Sequence, residues 1–278
     1  MKHLFDKVSA RASKITTTTY STSFSLGIYC LNKRFHKPIY NIYGFVRFAD
    51  EIVDTFHEYD KKVLLEEFKQ ETWKAIERGI SLNPILNSFQ KVVNEYAIER
   101  ELIEGFLRSM ETDLYKNEHS QESYNTYIYG SAEVVGLMCL RVFTENNRAM
   151  YEHLKPAAMK LGAAFQKVNF LRDLSADFNA LERAYFPGLN PTVFTIQEKL
   201  LIEKDIAKDF DDALVGIKQL PKSSRFGVYV AYIYYRSLFN KIKQTTPSHI
   251  LQERIRVSNY EKIQLLITSY FRHTFELI

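Results

Sequence analysis

This 278-residue chain is poor in the residues that interrupt helices, with 10 glycines and 7 prolines in its whole length. It also lacks any segment in which β-branched residues alternate cleanly over several strands' worth of sequence, so a sheet has little to build from. Only two cysteines occur, Cys30 and Cys139, both inside apolar stretches. A disulfide framework is thereby excluded, and buried reduced thiols in a reducing cytoplasm are expected. The N-terminus, Met1 to Asp6, carries no apolar core of signal-peptide length. The most apolar run, Phe226 to Tyr235, is about half as long as a spanning helix and is bracketed by Arg225 and Arg236, so no transmembrane segment is expected. No block of five basic residues exists, and a net charge of +4 is too small and dispersed to indicate nucleic acid. It suits an anionic small molecule or lipid headgroups, consistent with a cytoplasmic protein that touches the inner face of a membrane only peripherally. There is no P-loop, no Gly-x-Gly-x-x-Gly run, no Glu-x-x-His pair of the di-iron kind and no Cys/His cluster of zinc spacing.

What remains is helical periodicity. Val63, Leu64, Phe68, Ala75 and Ile76 form one apolar stripe, and Leu102, Ile103, Phe106, Leu107 and Met110 another. The pattern predicts roughly ten helices in a single all-α domain spanning residues 1–278. Breaks are expected near 32–38, 57–61, 79–84, 116–123, 144–148, 181–194, 219–224 and 244–248, the clearest at 181–194 with Pro187-Gly188 and Pro191. A chain of this length can bury about three quarters of its unfolded surface.

Two short segments carry chemistry. In the first, Tyr43, Arg47, Asp50 and Asp54 follow spacings of 4, 3 and 4, which is one helix face. In the second, Gln166, Asn169, Asp173 and Asp177 follow 3, 4 and 4, with Arg172 beside them. Each pair of aspartates thus presents two carboxylates in one direction. An intrahelical Arg–Asp pair on a solvated face would explain the first, and a structural polar network inside a bundle the second. Aromatic and small neighbours (Phe45, Phe48, Gly162, Ala163, Ala164) favour burial instead, where carboxylates need compensation. Should the two helices face each other, oxygen-only donors suit hard Mg²⁺, with positions left open to phosphate oxygens.

These segments, with Tyr20 to Ser25, Tyr127 to Met138 and Arg183 to Pro187, resemble the squalene/phytoene synthase family of head-to-head prenyltransferases over nearly the whole chain. The resemblance implies the all-α isoprenoid synthase fold with a central cavity. It implies Mg²⁺ (or Mn²⁺) held by Asp50, Asp54, Asn169, Asp173 and Asp177. Tyr20, Ser21, Ser23, Phe24, Tyr43, Arg47, Gln166, Arg172 and Tyr234 would contact diphosphate or the adjoining chain, and Tyr127 would assist ionisation or steer protons. The implied reaction joins two geranylgeranyl diphosphates to phytoene through a cyclopropylcarbinyl diphosphate, with NADPH not expected. The alternatives are dehydrosqualene or squalene from two farnesyl diphosphates, or a non-catalytic member serving as a binding module. The stretch Val135-Gly136-Leu137-Met138 looks more like bacterial phytoene synthases, and the C-terminus carries no anchor of the eukaryotic squalene synthase kind. Glu133 departs from the family, which has glycine there. Aromatics at 14%, dense at 229–235, would line a dry pocket and stabilise a cation through their π faces.

Overall fold

Sparse glycine and proline leave long helical stretches, and their ends fall where local chemistry closes them. The computed structural model describes residues 1–115, 119–181, 185–189 and 194–275, apart from the side chains of 177–181. No strand occurs among the described residues, in keeping with the all-α expectation. The helices are α1 (Lys2–Tyr20), α2 (Thr22–Tyr29), α3 (Lys33–Asp54), α4 (Lys61–Arg78), α5 (Pro84–Tyr96), α6 (Arg100–Thr112) and α7 (Gln121–Ile128). A π-helical turn (Tyr129–Glu133) leads into α8 (Val134–Thr144), followed by α9 (Arg148–Leu181), α10 (Ile196–Gln219), α11 (Lys222–Gln244), the short α12 (Pro247–Ile250) and α13 (Asn259–Thr274).

Most predicted breaks coincide with caps. Gly79 ends α4 in the left-handed region (φ 68°), while Asn83 accepts from the N–H groups of Ile85 and Leu86 and Pro84 takes the first helical position. The predicted break at 32–38 is shorter than expected, because α3 starts at Lys33 and runs through Pro38. Asn32 caps it, and burial of Phe35, Ile39, Tyr40 and Ile42 outweighs the hydrogen bond that proline removes. Extra divisions at Ser21, at Ala97 (φ 48°) and at the π turn make the helices more numerous than expected.

Buried side chains gather into two clusters. One centres on Phe45, whose ring stacks on Phe89 at 3.8 Å and meets Phe68 and Phe106 at 5.5 Å each. Each such phenylalanine contributes about 1.5–3 kcal/mol by leaving water. The other lies among α7, α9, α10 and α11, around Phe210, Phe239 and Leu171. Helix α9 packs along α10 on one side and α8 on the other, and α11 packs on α2 and α13. A cavity of about 490 Å³ remains where the two clusters meet.

Candidate active site

Helix α3 presents Tyr43 and Arg47 to this cavity, and α9 presents Leu161, Gly162, Phe165, Gln166, Asn169 and Arg172. Part of each polar stripe therefore lines the mouth of one cavity, while Asp50, Asp54 and Asp173 are not among its lining residues. Close approach of α9 to the π turn depends on Gly162: a Cβ there would lie 2.6 Å from the carbonyl oxygen of Ala132. Behind the mouth the wall is hydrocarbon, including Ile28, Leu31, Leu140, Phe143 and Ile217. Burial pushes the Cys139 thiol, on that wall, up to about 12, and Tyr43 also to about 12. Both shifts mark a surrounding that disfavours charge.

At the mouth, Arg47 pairs with Asp50 and Glu51 and lies 4.3 Å from the centre of the Tyr20 ring, a cation–π contact. Among the described residues its Nε is buried without a hydrogen-bond partner. Across the mouth, Arg172 donates to Asp173 Oδ1 at 2.9 Å. Arg254 grips the same carboxylate in a fork, at 2.7 Å to Oδ1 and 3.2 Å to Oδ2. Tyr235 donates to Asn169 Oδ1 at 3.3 Å while stacking on Phe165 at 3.9 Å. Phe24 stacks on Tyr43 at 5.0 Å. Ser21 lines the cavity and caps α2 by accepting from the Phe24 N–H at 3.2 Å.

Several expected residues fall elsewhere. Ser23 does not line the cavity. Tyr234 points the other way along α11, donating to the Lys262 carbonyl at 2.8 Å; its neighbour Tyr235 faces the cavity. The reason is helical phase, since Gly227, Ala231 and Tyr235 recur every four residues on the lining face. Tyr127 is buried outside the lining, donating to Asp113 Oδ2 at 2.7 Å and packed between the rings of His119, Phe170 and Tyr185. Asp54 closes α3 one turn beyond Asp50. The Asp177 side chain and residues Arg183 and Ala184 lie outside the described residues. Glu133 sits toward α10, its carboxyl held above the usual range by burial and opposed by Lys160 and Lys167, which both pair with Asp209.

Asp50, Asp54, Asn169 and Asp173 are oxygen donors of the kind Mg²⁺ takes, borne by two helices that line one mouth, so these residues fit the ion the family implies. Among the described residues no three acidic, thiolate or imidazole groups gather as a ready cation site; guanidinium groups compensate Asp50 and Asp173 instead. Arg254 and Tyr235 were not singled out by sequence. The spacing from Gly227 could have found Tyr235, whereas Arg254 lies in a non-helical segment without periodicity.

The family profile described as squalene/phytoene synthase matches residues 17–203. Phytoene synthase 1, chloroplastic, of Solanum lycopersicum is 26% identical over 273 residues, covering 90% of this chain and 65% of its own length. The chain thus spans about two thirds of that relative. The 15-cis-phytoene synthase of Synechococcus elongatus is 25% identical over 282 residues, covering 93% and 91%. Among solved structures, a dehydrosqualene synthase with bound ligand superposes with a TM-score of 0.84 at 23% identity, covering 98% of both chains. A squalene synthase, HpnC of Alicyclobacillus acidocaldarius, gives 0.73 at 17% identity, covering 86% of this chain and 94% of its own.

Proposed function

The chain belongs to the squalene/phytoene synthase family, and from that premise we propose that it condenses two geranylgeranyl diphosphates head to head into phytoene. The observation that carries the proposal is one cavity whose mouth gathers Arg47, Arg172 and Arg254 beside Asp50 and Asp173 and whose interior is hydrocarbon. In the first half-reaction the allylic C–O bond of one substrate breaks and its carbon bonds the double bond of the other. Diphosphate and a proton are lost, and a cyclopropylcarbinyl diphosphate forms. In the second, that diphosphate leaves, the carbon skeleton rearranges and another proton departs, so no reductant is consumed.

The chain's own residues have separable tasks. Arg47, Arg172 and Arg254 stabilise charge growing on the departing diphosphate, the largest electrostatic contribution such a site offers. Asp50, Asp54, Asn169, Asp173 and Asp177 would hold Mg²⁺, which supplies further charge neutralisation there when bound. Gln166 and the hydroxyls of Tyr43 and Tyr235 orient the headgroups. The rings of Phe24, Tyr43, Phe165 and Tyr235 face the cation while the hydrocarbon wall keeps water from trapping it. Two farnesyl chains are the second reading, favoured by the fold likeness to a dehydrosqualene synthase.

The test is incubation of the purified protein with Mg²⁺ and either C15 or C20 diphosphate, with and without NADPH, followed by chromatographic and mass-spectrometric identification of the hydrocarbon. Phytoene from the C20 substrate without NADPH is expected. A C30 hydrocarbon from the C15 substrate alone would replace the proposal with the second reading, and no hydrocarbon from either would overturn both.

A further inference from the structure

Of the buried polar side-chain atoms that find no partner among the described residues, two belong to residues lining the cavity: Arg47 Nε at the mouth and the Ser131 hydroxyl oxygen. Ser131 sits in the π-helical turn Tyr129–Glu133, and such turns recur at functional sites. Helical serines and threonines ordinarily give their hydroxyl proton to the carbonyl three or four residues back, as Thr72 does to Phe68 and Thr144 to Leu140. Ser131 makes no such bond. Its neighbours on the lining, Ala132, Val135 and Gly136, carry no polar side chain that could replace it. A hydroxyl held dry and unpaired is unfavourable until a bound molecule satisfies it.

Contacts between this part of the chain and α9 fix the depth of the hydroxyl. The two run antiparallel. Tyr127 meets the ring of Phe170 at 6.0 Å, a Cβ on Gly162 would lie 2.6 Å from the Ala132 carbonyl oxygen, and one on Gly136 would lie 2.9 Å from that of Ala158. Ser131 is therefore level with the turn of α9 between Gly162 and Gln166. Asn169 and Arg172 stand one to two turns nearer the mouth, roughly 5–11 Å along the helix axis. The hydroxyl thus lies where the polar mouth gives way to the hydrocarbon wall. The turn that carries it is fixed from two sides. Gly162 admits α9, and Gly130 admits α6, since a Cβ at Gly130 would lie 2.7 Å from the Gly105 carbonyl oxygen.

We propose that Ser131 is a further catalytic residue, which donates a hydrogen bond to the oxygen joining the allylic carbon of the substrate to its diphosphate. Its role rests on the proposed reaction, to which it adds a donor. A diphosphate gripped by the arginines of the mouth extends its first carbon inward, toward the depth of Ser131. The rest of a prenyl chain offers the hydroxyl no acceptor. As the carbon–oxygen bond breaks, its electron pair stays on that oxygen, the carbon becomes the allylic cation, and the serine keeps its proton. The hydrogen bond strengthens because the oxygen gains negative charge, and a donor already fixed in a dry site needs no reorganisation to supply it.

The experiment compares the full chain with its Ser131→Ala variant in three measurements: melting of the free protein, calorimetric binding of inorganic diphosphate with Mg²⁺, and steady-state turnover of C15 and C20 diphosphates. Removing an unpaired hydroxyl should leave the melting temperature unchanged or raise it by up to about 5 °C. Affinity for inorganic diphosphate should stay within about threefold, because the mouth is untouched. The kcat should fall about 10²- to 10³-fold while KM changes less than about threefold, since the bond strengthens in the transition state. A hydroxyl that merely held the π turn in place would show the opposite pattern. A lowered melting temperature, or a diphosphate affinity that falls in step with kcat, therefore overturns the proposal, as does a kcat within about threefold of the parent's. When the unsubstituted protein forms hydrocarbon, such a result refutes the role of Ser131 alone. An unsubstituted protein that forms none refutes the reaction, and the role of Ser131 with it.

Discussion

Replacing Tyr127 by phenylalanine separates a chemical role from a structural one. The family resemblance gives this tyrosine a part in ionisation, yet its hydroxyl is committed to Asp113 at 2.7 Å, outside the cavity lining. Burial, with the neighbouring Asp113 carboxylate adding to it, holds the Tyr127 hydroxyl well above the ordinary tyrosine range. The protonated hydroxyl is thereby favoured, and it serves as the donor to Asp113. Tyr127→Phe removes a buried hydrogen bond to a carboxylate, and the loss should cost about 1–3 kcal/mol of stability. For a chain of this size that is a fall of about 2–5 °C in melting temperature. Circular dichroism melts measure the fall, and turnover of C20 diphosphate well below both melting points measures chemistry per folded molecule. The expected outcome is a clear drop in melting temperature with turnover lowered less than about tenfold. A hundredfold slower turnover at an unchanged melting temperature would refute the reasoning and return the hydroxyl to the reaction.

Other perturbations address the mouth, the wall and the Glu133 site. Arg254→Ala should lower kcat/KM about 10²- to 10³-fold while costing little stability, because the arginine side chain is half exposed; steady-state kinetics beside a melt distinguishes the two. Asp50→Ala and Asp173→Ala should each abolish hydrocarbon formation in a folded protein, and chelation followed by added Mg²⁺ should remove and restore it in the unsubstituted one. Gly162→Ala drives a Cβ against the Ala132 carbonyl and should destabilise by about 1–3 kcal/mol, read from urea denaturation. Glu133 has a folded pKa raised by burial. Its contribution to stability is therefore fully present below the unfolded carboxyl value and is lost as pH rises through the folded one. Glu133→Gln should accordingly stabilise the protein at neutral pH relative to the parent, with the gain vanishing near pH 4.

Much of the candidate site was legible because it is periodic. Arg47 and Tyr43 on α3, and Gln166, Asn169 and Arg172 on α9, lie on stripes that helical spacing alone defines, and all of them reach the cavity. The errors have local causes. Pro38 read as a break because propensity was weighed without the burial that sustains α3 through it. Tyr234 came from the family resemblance, which does not carry the helical phase that Gly227 and Ala231 set for Tyr235. Glu133 departs from the family's glycine, and only the packing of α9 against the π turn reveals Lys160 and Lys167 near its carboxyl.

Sequence by itself determined that this chain is helical, because few residues break a helix and apolar side chains recur at its period. It also determined that two aspartate-bearing faces exist, because a face is fixed by spacing within one helix. Tertiary structure decided which of those faces share a mouth, that Arg254 from a segment without periodicity completes the grip on Asp173, and that Tyr127 bonds Asp113 away from the cavity. These are relations between distant segments, set by how helices pack, and no local spacing carries that information.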